Sequence, residues 1–276
     1  MNIGKEQTAI RYLRAFQPQD EPYYLCYSGG KDSDCVRILA ELAGVNYDLV
    51  HNLTTVDAPE TVQYVKSVGA QIQRPPKTMW QLIVEKGMPP TRLVRYCCSC
   101  LKEHGGKGRV KITGVRRAES VSRAANSDFI KIIGKPKTVQ RTALELGAEF
   151  AVTSKGGVIL NGDNDVNRQL VEEFHKKTST AINPIVDWTE EDVWEFLHYH
   201  GCDSNPLYQQ GYKRIGCVGC PMASKSHRIA EFERYPIYRE NYIRAFERML
   251  ERGKERGIVY RPNWQTAEDV MDWWLE

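Results

Sequence analysis

The sequence predicts an α/β fold: a mostly parallel, doubly wound sheet followed by a helical C-terminal region. Apolar strands alternate with amphipathic helices from residue 23 onward, and a glycine-rich turn joins the first strand to the helix after it. Residues 225–257 are strongly helical in pattern and rich in arginine and glutamate. Repeated strand–helix–strand units imply a parallel sheet covered by helices, with ligands gathering at the carboxyl ends of its strands.

The α/β region alternates element by element. In chain order we predict strand 23–27, helix 32–44, strand 47–54, helix 58–69, strand 110–115 and strand 129–133. The first three elements form a βαβ unit, whose helix ends at Gly44.

Three regions follow from this pattern. They are an N-terminal helix (1–20), an α/β domain (21–201) with an insertion at about 135–182, and a Cys-x-x-Cys segment with a helical C-terminal region (202–276). A clear helix restarts the regular pattern at 188–201. Thr189 is a good N-cap for it, and Asp192 stands where a capping-box acid would stand.

The composition is that of a folded protein, and its cysteines are expected to be reduced. With 276 residues, 41% hydrophobic and 26% charged, the chain can bury one sizeable core and a smaller appended one. A net charge of +3 gives no global field that would indicate nucleic acid. No apolar run approaches the roughly 20 residues that span a bilayer, so we expect a cytoplasmic protein without membrane contact. Eight cysteines in that compartment suggest metal ligation or redox chemistry more than disulfides.

The strongest local signal is the turn after the first strand, Ser28-Gly29-Gly30-Lys31-Asp32-Ser33. Its spacing fails both the Walker A pattern and the dinucleotide-binding pattern. Glycine removes the Cβ, so the backbone can come within hydrogen-bonding distance of a ligand. Free amide N–H groups, the positive end of the helix dipole and the Lys31 ammonium then face one spot, which suits a phosphate. The alternative is a tight strand-to-helix turn with an incidental lysine.

One acidic residue follows a predicted strand end. Asp57 would lie at the carboxyl edge of the sheet, where it could bind a ribose hydroxyl or an adenine amino group. The alternative is an N-cap-type loop acid before helix 59–69.

Basic residues form two further groups. Arg116, Arg117 and Arg123 follow a predicted strand, and planar guanidinium groups suit bidentate contacts with sulfate or phosphate oxygens. Lys213 and Arg214 form a second cluster that could bind the same anions. A solvated helix face is the alternative for any one of the arginines.

Five cysteines form two tight groups. One group holds Cys97, Cys98 and Cys100, and the other holds Cys217 and Cys220. Two such groups can complete a four-thiolate site by bringing distant parts of the chain together. On spacing alone Cys97 and Cys100 form the matching C-x-x-C, and zinc and an iron–sulfur cluster cannot be told apart.

At these residues a resemblance emerges. The turn Ser28–Ser33 resembles the PP-loop of the adenine nucleotide alpha-hydrolase superfamily, which holds the phosphates of ATP or related nucleotides. Four more stretches resemble one branch of it, the phosphoadenosine phosphosulfate (PAPS) reductase family. These are "VDAPET" (56–61), "GVRRAESVSR" (114–123), "NPIVDWTEEDVWEFL" (183–197) and "NPLYQQGYKRIGCVGCP" (205–221). Together with the turn they span residues 23–221 in the expected order.

The resemblance implies an enzyme of sulfur metabolism that binds an adenosine nucleotide, either ATP or PAPS or adenylylsulfate (APS), with Mg²⁺ as an accompanying ion. It implies that Lys31, Arg116, Arg117 and Arg123 take part in catalysis. Lys213 and Arg214 would help to hold the anionic end of the substrate. The other implied nucleotide-binding residues are Ser28, Gly29, Gly30, Asp32, Ser33 and Asp57.

The resemblance also implies a cofactor. Adenylylsulfate reductases of this family hold a [4Fe-4S] cluster with a tandem Cys-Cys pair and a distal C-x-x-C, and "CCSCLK" is similar to the tandem position. The expected ligands are therefore Cys97, Cys98, Cys217 and Cys220, with Cys100 as the substitute and zinc as the alternative metal.

Two departures from the family pattern separate the functional hypotheses. The reductases close with a C-terminal segment that carries a nucleophilic cysteine, whereas this sequence has no cysteine after Cys220. The reductases generally have a degenerate PP-loop, whereas this one keeps the full Ser-Gly-Gly-Lys-Asp-Ser of members that cleave ATP between its alpha and beta phosphates. A lysine there can stabilise the negative charge that builds up on departing pyrophosphate.

Three hypotheses result. The first is a sulfonucleotide reductase or a close variant. The second is an ATP-cleaving sulfurtransferase that adenylates and thiolates tRNA or DNA. The third is a non-catalytic nucleotide-binding regulator with a structural metal. The first two would need a sulfur-donor or electron-donor protein, and the sequence leaves the oligomeric state open.

Overall fold

An eight-stranded sheet runs through the part of the chain that the computed structural model describes, residues 3–276. The strands are β1 (Tyr23–Cys26), β2 (Tyr47–Asn52), β3 (Gln71–Gln73), β4 (Val110–Ile112), β5 (Ile130–Ile133), β6 (Phe150–Val152), β7 (Val158–Leu160) and β8 (Ser179–Ile182). Their order across the sheet is β3-β2-β1-β4-β8-β5-β7-β6.

Eleven α-helices accompany the sheet within residues 3–276. They are α1 (Ile3–Ala15), α2 (Lys31–Ala43), α3 (Pro59–Ser67), α4 (Met79–Lys86), α5 (Val121–Asn126), α6 (Pro136–Glu145), α7 (Asp165–Phe174), α8 (Glu190–Tyr199), α9 (Lys225–Arg234), α10 (Pro236–Glu255) and α11 (Ala267–Leu275). A π-helical turn covers Cys98–Lys102 and a 3-10 turn covers Arg117–Glu119. The predicted N-terminal helix is α1, and residues 1 and 2 of that prediction lie outside the described residues.

The predicted α/β class with a mostly parallel sheet is confirmed. β1 pairs in parallel with β2 and β4, and β4 pairs in parallel with β8. The strand predicted at 129–133 is β5, and it runs antiparallel to β8, as do β7 to β5 and β6 to β7. The parallel part of the sheet is therefore continued at one edge by an antiparallel extension.

The region predicted as an insertion, 135–182, contributes three strands to the sheet. It contains α6, the β6–β7 hairpin, α7 and β8, and β8 lies between β4 and β5 within the sheet. No strand is predicted from the sequence at residues 179–182. The strand β8 is only four residues long and contains Ser179 and Thr180. It therefore lacks the apolar run that identifies a buried strand.

Local sequence signals explain where the helices of the α/β region begin and end. Gly44 adopts a left-handed conformation (φ 66°) directly after α2, as predicted for its C-terminus. At α8 the Thr189 hydroxyl accepts the Asp192 N–H, and the Asp192 carboxylate accepts the Thr189 N–H at 2.7 Å. This is the predicted capping box.

Residue contacts divide the chain into two compact units, and the domain boundaries predicted from the sequence stay a prediction. Unit 1 comprises the residues up to His51, Gln63–Ile72 and Gly106–Arg214. Unit 2 comprises Asn52–Val62, Gln73–Gly105 and Ile215–Glu276.

Unit 1 has its hydrophobic core on the central strands. Leu25 of β1 lies in register between Leu49 and Ile112, and Ile112 lies beside Ile182. Leu25, Ile112 and Ile182 are fully buried. Truncation of such a side chain to alanine typically costs about 2–5 kcal/mol of stability. This rigid centre fixes the ends of β1 and β4, from which the polar loops of unit 1 start.

Unit 2 is built around the long helix α10. This helix packs on α4, α9 and α11. Tyr242 lies at the centre, with ring centroids 4.6 Å from Trp274, 4.8 Å from Trp80 and 5.7 Å from Phe232. Aromatic pairs at such distances add to the stability gained from burial alone.

None of the helices in residues 3–276 combines the length and the hydropathy that crossing a membrane requires.

Candidate functional site

The turn between β1 and α2 is fixed by its own side chains. Gly29 has a left-handed backbone conformation (φ 73°), which favours glycine, and Gly30 is the extended N-cap of α2. The Ser33 hydroxyl accepts the Gly30 N–H at 3.1 Å and donates to the Gly30 carbonyl at 2.7 Å. The turn therefore holds one shape around the amino end of α2, and we call residues 28–33 the cradle.

Lys31 is the first residue of α2, and its ammonium group is held inside the cradle region. Its side chain is only 7% exposed, with Nζ 3.6 Å from Asp32 Oδ2 and 3.9 Å from Glu190 Oε1. The Lys31 backbone N–H donates to the Tyr208 hydroxyl at 3.1 Å, and the ammonium lies 5.6 Å from the centre of the Tyr208 ring. A cation, a helix amino end and two carboxylates thus meet at one place.

Arg116 reaches the same place from the loop after β4. It is 4% exposed, and its Nε donates to Asp32 Oδ1 at 2.6 Å. Close packing at Gly114 makes this approach possible, because a Cβ there would lie 2.9 Å from the Asp32 carbonyl oxygen. The structure therefore brings Arg116 to the cradle, as part of an ion pair with Asp32.

The other predicted anion-binding residues have different surroundings. Arg117 pairs with Asp128 at 2.8 Å and with Asp187, and Arg123 pairs with Glu119 at 3.2 Å. Lys213 and Arg214 are exposed in a bend near the end of unit 1. The roles predicted for these four residues stay predictions, and a bound anion would have to compete with the carboxylates that now pair with Arg117 and Arg123.

Residues 204–208, for which no contact with the cradle was predicted, form hydrogen bonds that hold it in place. Asn205 donates from Nδ2 to the Gly29 carbonyl at 2.9 Å, and the Ser204 hydroxyl donates to Asp34 at 2.6 Å. Burial raises the pKa of Asp34, while hydrogen bonds from Ser204, Tyr27 and Tyr64 oppose that rise. Residues 204–208 therefore position the cradle. In the sequence, the only sign of this role was the family resemblance of the stretch 205–221, which begins with "NPLY".

Both cysteine groups lie in unit 2, and the first group lies at the π-helical turn. The Glu103 N–H donates to the Cys98 carbonyl at 3.0 Å, which closes the wide turn over Cys98–Lys102. π-Helical turns are rare and occur frequently at functional sites. Cys97 comes just before this turn, and Cys98 begins it.

The second group is a tight turn. The Cys220 N–H donates to the Cys217 carbonyl at 3.2 Å, and the Val218 N–H donates to the Val56 carbonyl at 2.8 Å. Gly219 has φ 72°, and a Cβ there would lie 2.6 Å from the Phe232 ring. The Gly219 N–H donates to buried Glu231 at 2.9 Å. Both thiols are thus carried on a backbone that accepts only glycine at its centre.

Electrostatics connects the two groups. A side-chain hydrogen bond between Cys97 and Cys98 raises the pKa of Cys97 and lowers the pKa of Cys98 to about 6. Cys217 and Cys220 lie near enough for their charges to raise the pKa of Cys97 as well. The charge of Cys217 in turn raises the pKa of Lys102, although that side chain keeps solvent-exposed surface.

Residues 3–276 contain no group of three or more His, Cys, Asp or Glu side chains already gathered as metal ligands. The ligand set Cys97, Cys98, Cys217 and Cys220 therefore stays a prediction. The chemistry of the donors nevertheless fits a thiolate-bound metal, because the charges of Cys217 and Cys220 act on Cys97, and the charge of Cys217 acts on the Lys102 ammonium.

Two basic side chains of unit 2 with buried nitrogen atoms were not predicted from the sequence. Arg228 is 5% exposed and stacks 4.1 Å from the Trp274 ring, and its Nε and Nη2 are buried with no hydrogen-bond partner within residues 3–276. Cys220 is near enough for its charge to act on this guanidinium. In the same described range both ring nitrogens of His104 are buried and make no hydrogen bond. Isolated basic residues carry no sequence signal that would reveal such burial.

Asp57 also lies in unit 2. Its carboxylate accepts the Thr54 N–H at 2.6 Å, and its backbone forms a β-bridge with Cys217. Its charge contributes, after that of Cys217, to the raised pKa of Lys102. The predicted contact of Asp57 with a ribose or an adenine stays a prediction.

Residues 22–223 match the family model of the phosphoadenosine phosphosulfate reductase domain. An uncharacterized protein of Methanocaldococcus jannaschii is 25% identical over 254 residues, which are 88% of this chain and 51% of that protein. The chain thus spans about half the length of curated relatives that it matches over most of its own length.

Two further similarities carry named activities. An adenosine 5'-phosphosulfate reductase of Allochromatium vinosum is 50% identical over 42 residues, 15% of this chain and 16% of that protein. The solved structure of the U34-tRNA thiolase from Methanococcus maripaludis, with its [4Fe-4S] cluster, is 13% identical with a TM-score of 0.38. That alignment covers 95% of this chain and 83% of the thiolase.

Proposed function

The chain belongs to the phosphoadenosine phosphosulfate reductase domain family, and on that premise we propose that it is an enzyme of sulfur metabolism that holds an adenosine nucleotide by its phosphates in the cradle. The observation that carries the proposal is the Lys31 ammonium at the amino end of α2, only 7% exposed and beside the Tyr208 ring. The family match covers the cradle, and one relative is named as an adenosine 5'-phosphosulfate reductase.

The cradle can bind the anion in three ways. The amino end of α2 supplies the positive end of the helix dipole and backbone N–H groups, among them that of Lys31, which now donates to the Tyr208 hydroxyl. Lys31 supplies a cation with little access to bulk water, where its attraction to a phosphate is stronger than at an exposed site. Arg116, positioned by Asp32, supplies a planar guanidinium for phosphate or sulfate oxygens.

The proposed reaction is reductive cleavage of an adenosine sulfonucleotide. Two electrons from a dithiol protein would break the bond between the sulfur and the phosphate oxygen. Sulfite and the adenosine phosphate would leave, and the dithiol would become a disulfide. Lys31 and Arg116 would stabilise the charge that develops on the departing phosphate, since fixed cations stabilise such charge without reorganisation.

A second candidate reaction is ATP cleavage to AMP and pyrophosphate, coupled to thiolation of tRNA or DNA. The observation that favours it is the pair of carboxylates near Lys31, those of Asp32 and Glu190. Carboxylates beside a triphosphate are the usual protein ligands of Mg²⁺. The full Ser-Gly-Gly-Lys-Asp-Ser turn is also that of ATP-cleaving members.

In either reaction the thiols of unit 2 would hold a metal group. Cys97, Cys98, Cys217 and Cys220 would be its ligands, and a [4Fe-4S] cluster bound there would supply electron transfer or a Lewis-acidic iron, whereas zinc would supply structure alone. Lys102 and Arg228 would offset the negative charge of four thiolates.

Product analysis separates the two reactions. The protein, reconstituted anaerobically with iron and sulfide, is incubated either with PAPS or APS and a reduced thioredoxin or with ATP and Mg²⁺. Sulfite in the first incubation and no AMP in the second would support sulfonucleotide reduction. AMP and pyrophosphate in the second would replace it with the ATP-cleaving reaction. Absence of nucleotide binding in calorimetry would refute the proposal as a whole.

A further inference from the structure

Unit 2 carries a cleft that takes no part in the proposed function. It lies between α4 and α10 and has a volume of about 670 Å³. All its lining residues belong to unit 2. The lining includes one aromatic residue, Trp80, and a run of basic side chains, Lys77, Arg244, Arg248 and Arg252.

The three arginines form a stripe along α10. They follow one another at intervals of four residues, so they lie on one face of the helix, about 6 Å apart along its axis. Arg244 and Arg248 are exposed, and Arg252 is half-buried. A regular row of guanidinium groups suits a ligand whose negative charges repeat along a line.

Acidic residues neutralise only part of this stripe. Glu85 lines the cleft but pairs with Lys77 at 2.5 Å, and Glu240 pairs with Arg244 at 3.1 Å as an exposed i,i+4 contact. Exposed pairs of this kind contribute little and yield readily to a stronger anion. The lining therefore keeps an excess of positive charge, with four basic residues against one acidic residue.

Trp80 gives the cleft a second kind of contact. It is half-buried, lines the cleft and packs edge-on to Tyr242 at 4.8 Å, which fixes its ring from inside unit 2. A fixed indole at the wall of a basic groove can stack on a planar base, and such stacking does not depend on sequence. Val84 and Ala245 supply apolar lining on either helix.

We propose that the α4–α10 cleft binds single-stranded nucleic acid. Backbone phosphates would lie along Arg244, Arg248 and Arg252, and one base would stack on Trp80. A duplex fits less well, because its bases are already stacked on each other and cannot reach an indole at the wall of a cleft. An acidic peptide would satisfy the arginines but would leave the indole without its partner. This site involves none of the cradle residues and goes beyond the proposed nucleotide binding, and in the second candidate reaction it would hold the nucleic-acid substrate.

The test is binding of a fluorescein-labelled oligonucleotide of about 12 nucleotides, a length within the range that one binding module covers. Fluorescence anisotropy is followed with the full chain as a function of salt, with RNA and DNA single strands and the matching duplex. Each phosphate contact contributes about −0.7 to the slope of log K against log salt, so the three arginine contacts predict about −2. Either single strand binding in this way supports the site, and the two arms tell RNA from DNA.

Three variants locate the binding. Arg244→Gln with Arg248→Gln, both at exposed positions, should reduce the slope by about 1.4 and weaken binding. Trp80→Ala should weaken it roughly 5- to 100-fold, the effect of losing one stacked base, while Trp80→Phe retains most of the affinity and guards against loss of folding. Arg239→Gln, an exposed position on the same helix outside the lining, is the matched control and should bind like the wild type.

Several results would overturn the inference. Equal binding by the double arginine variant and the wild type would place nucleic acid elsewhere on the molecule. Tighter binding of duplex than of single strands would remove the role of Trp80. Displacement of the oligonucleotide by AMP at equal nucleotide concentration would make the cleft a mononucleotide site, and binding of a poly-glutamate peptide without oligonucleotide binding would make it a protein-docking site. Calorimetric titration of the same variants with ATP reports the cradle separately, so failure here leaves the proposed function untouched.

Discussion

The backbone N–H of Lys31 donates a hydrogen bond of 3.1 Å to the hydroxyl of Tyr208. This N–H belongs to the first residue of α2, where an oxygen of a bound phosphate would also be expected to accept. Burial raises the pKa of Tyr208, so the group is a neutral hydroxyl at physiological pH. A nucleotide that uses this N–H must therefore displace the Tyr208 hydroxyl.

Replacement of Tyr208 by phenylalanine should tighten nucleotide binding. The variant keeps a ring beside the Lys31 ammonium but removes the competing acceptor, and one net hydrogen bond is worth about 0.5–1.5 kcal/mol, or roughly 2- to 12-fold in affinity. Isothermal titration with ATP and with PAPS measures the change. Tyr199→Phe, which removes an exposed hydroxyl on α8, is the control. Weaker binding by Tyr208→Phe would mean that the hydroxyl contacts the ligand instead of competing with it.

Replacement of Lys31 by glutamine should weaken nucleotide binding about 10- to 100-fold, the effect of losing a charge-assisted contact of about 1.5–3 kcal/mol. Stability should change little, because Arg116 still pairs with Asp32 when the ammonium is gone. Calorimetry and thermal unfolding report the two quantities. Lys66→Gln, at an exposed position of α3, is the matched control. A dissociation constant within twofold of the wild type would remove Lys31 from the site.

Replacement of Gly114 by alanine should damage both the fold and the cradle. The new Cβ would lie 2.9 Å from the Asp32 carbonyl oxygen and 3.1 Å from the Asp32 Cβ, so the first turn of α2 must shift. We expect a loss of about 1–3 kcal/mol in urea unfolding, with weaker ATP binding. Gly216→Ala offers a comparison, because a Cβ there meets no atom within 4 Å. Equal stability of the two variants would contradict the packing argument.

The capping box of α8 predicts a pH-dependent contribution to stability. Burial would raise the pKa of Asp192, but hydrogen bonds from Lys5 and from the Thr189 N–H outweigh it and lower that pKa below 3.8. As pH falls, the unfolded chain binds the proton first, so the stabilisation is complete above pH 3.8 and is lost as pH falls through the lower folded-state pKa. Asp192→Asn should therefore cost about 1 kcal/mol at neutral pH.

Urea unfolding of wild type and Asp192→Asn at several pH values measures this effect. Their difference should shrink toward zero as pH falls below 3.8. Glu191→Gln, an exposed neighbour on α8, should show no such convergence. A difference that stays constant with pH would assign the effect to packing and not to charge.

The thiol ligands are tested one at a time by serine substitution. After anaerobic reconstitution, Cys97→Ser, Cys98→Ser, Cys217→Ser and Cys220→Ser should each lose bound metal. Cys100→Ser should keep it, because Cys98 and not Cys100 is the expected ligand of the first group. Iron, sulfide and zinc contents, with the visible absorption spectrum, distinguish a [4Fe-4S] cluster from zinc. Loss in Cys100→Ser with retention in Cys98→Ser would reassign the fourth ligand.

Local features of the site could be predicted because each depends on a short window. The cradle follows from Ser-Gly-Gly-Lys between a strand and a helix, and the cap of α8 follows from Thr189 and Asp192 three positions apart. The three arginines show the opposite case. Residues so near in sequence suggested one shared anion, yet Arg116 pairs with Asp32, while Arg117 and Arg123 pair with other carboxylates. The carboxylate with which each arginine pairs depends on the conformation of irregular loops, which hydrophobic periodicity does not predict.

The sequence by itself determined the α/β class, the glycine-rich turn before α2 and the two cysteine groups, since periodicity, backbone freedom and cysteine spacing are properties of neighbouring residues. Only the tertiary structure decided that β8 enters the sheet, that Tyr208 meets Lys31 from 177 positions away, and that three arginines of α10 share a cleft with Trp80. Such contacts arise because the burial of apolar surface determines how the helices and strands pack together. Polar side chains on those elements then find partners that the order of the chain does not reveal.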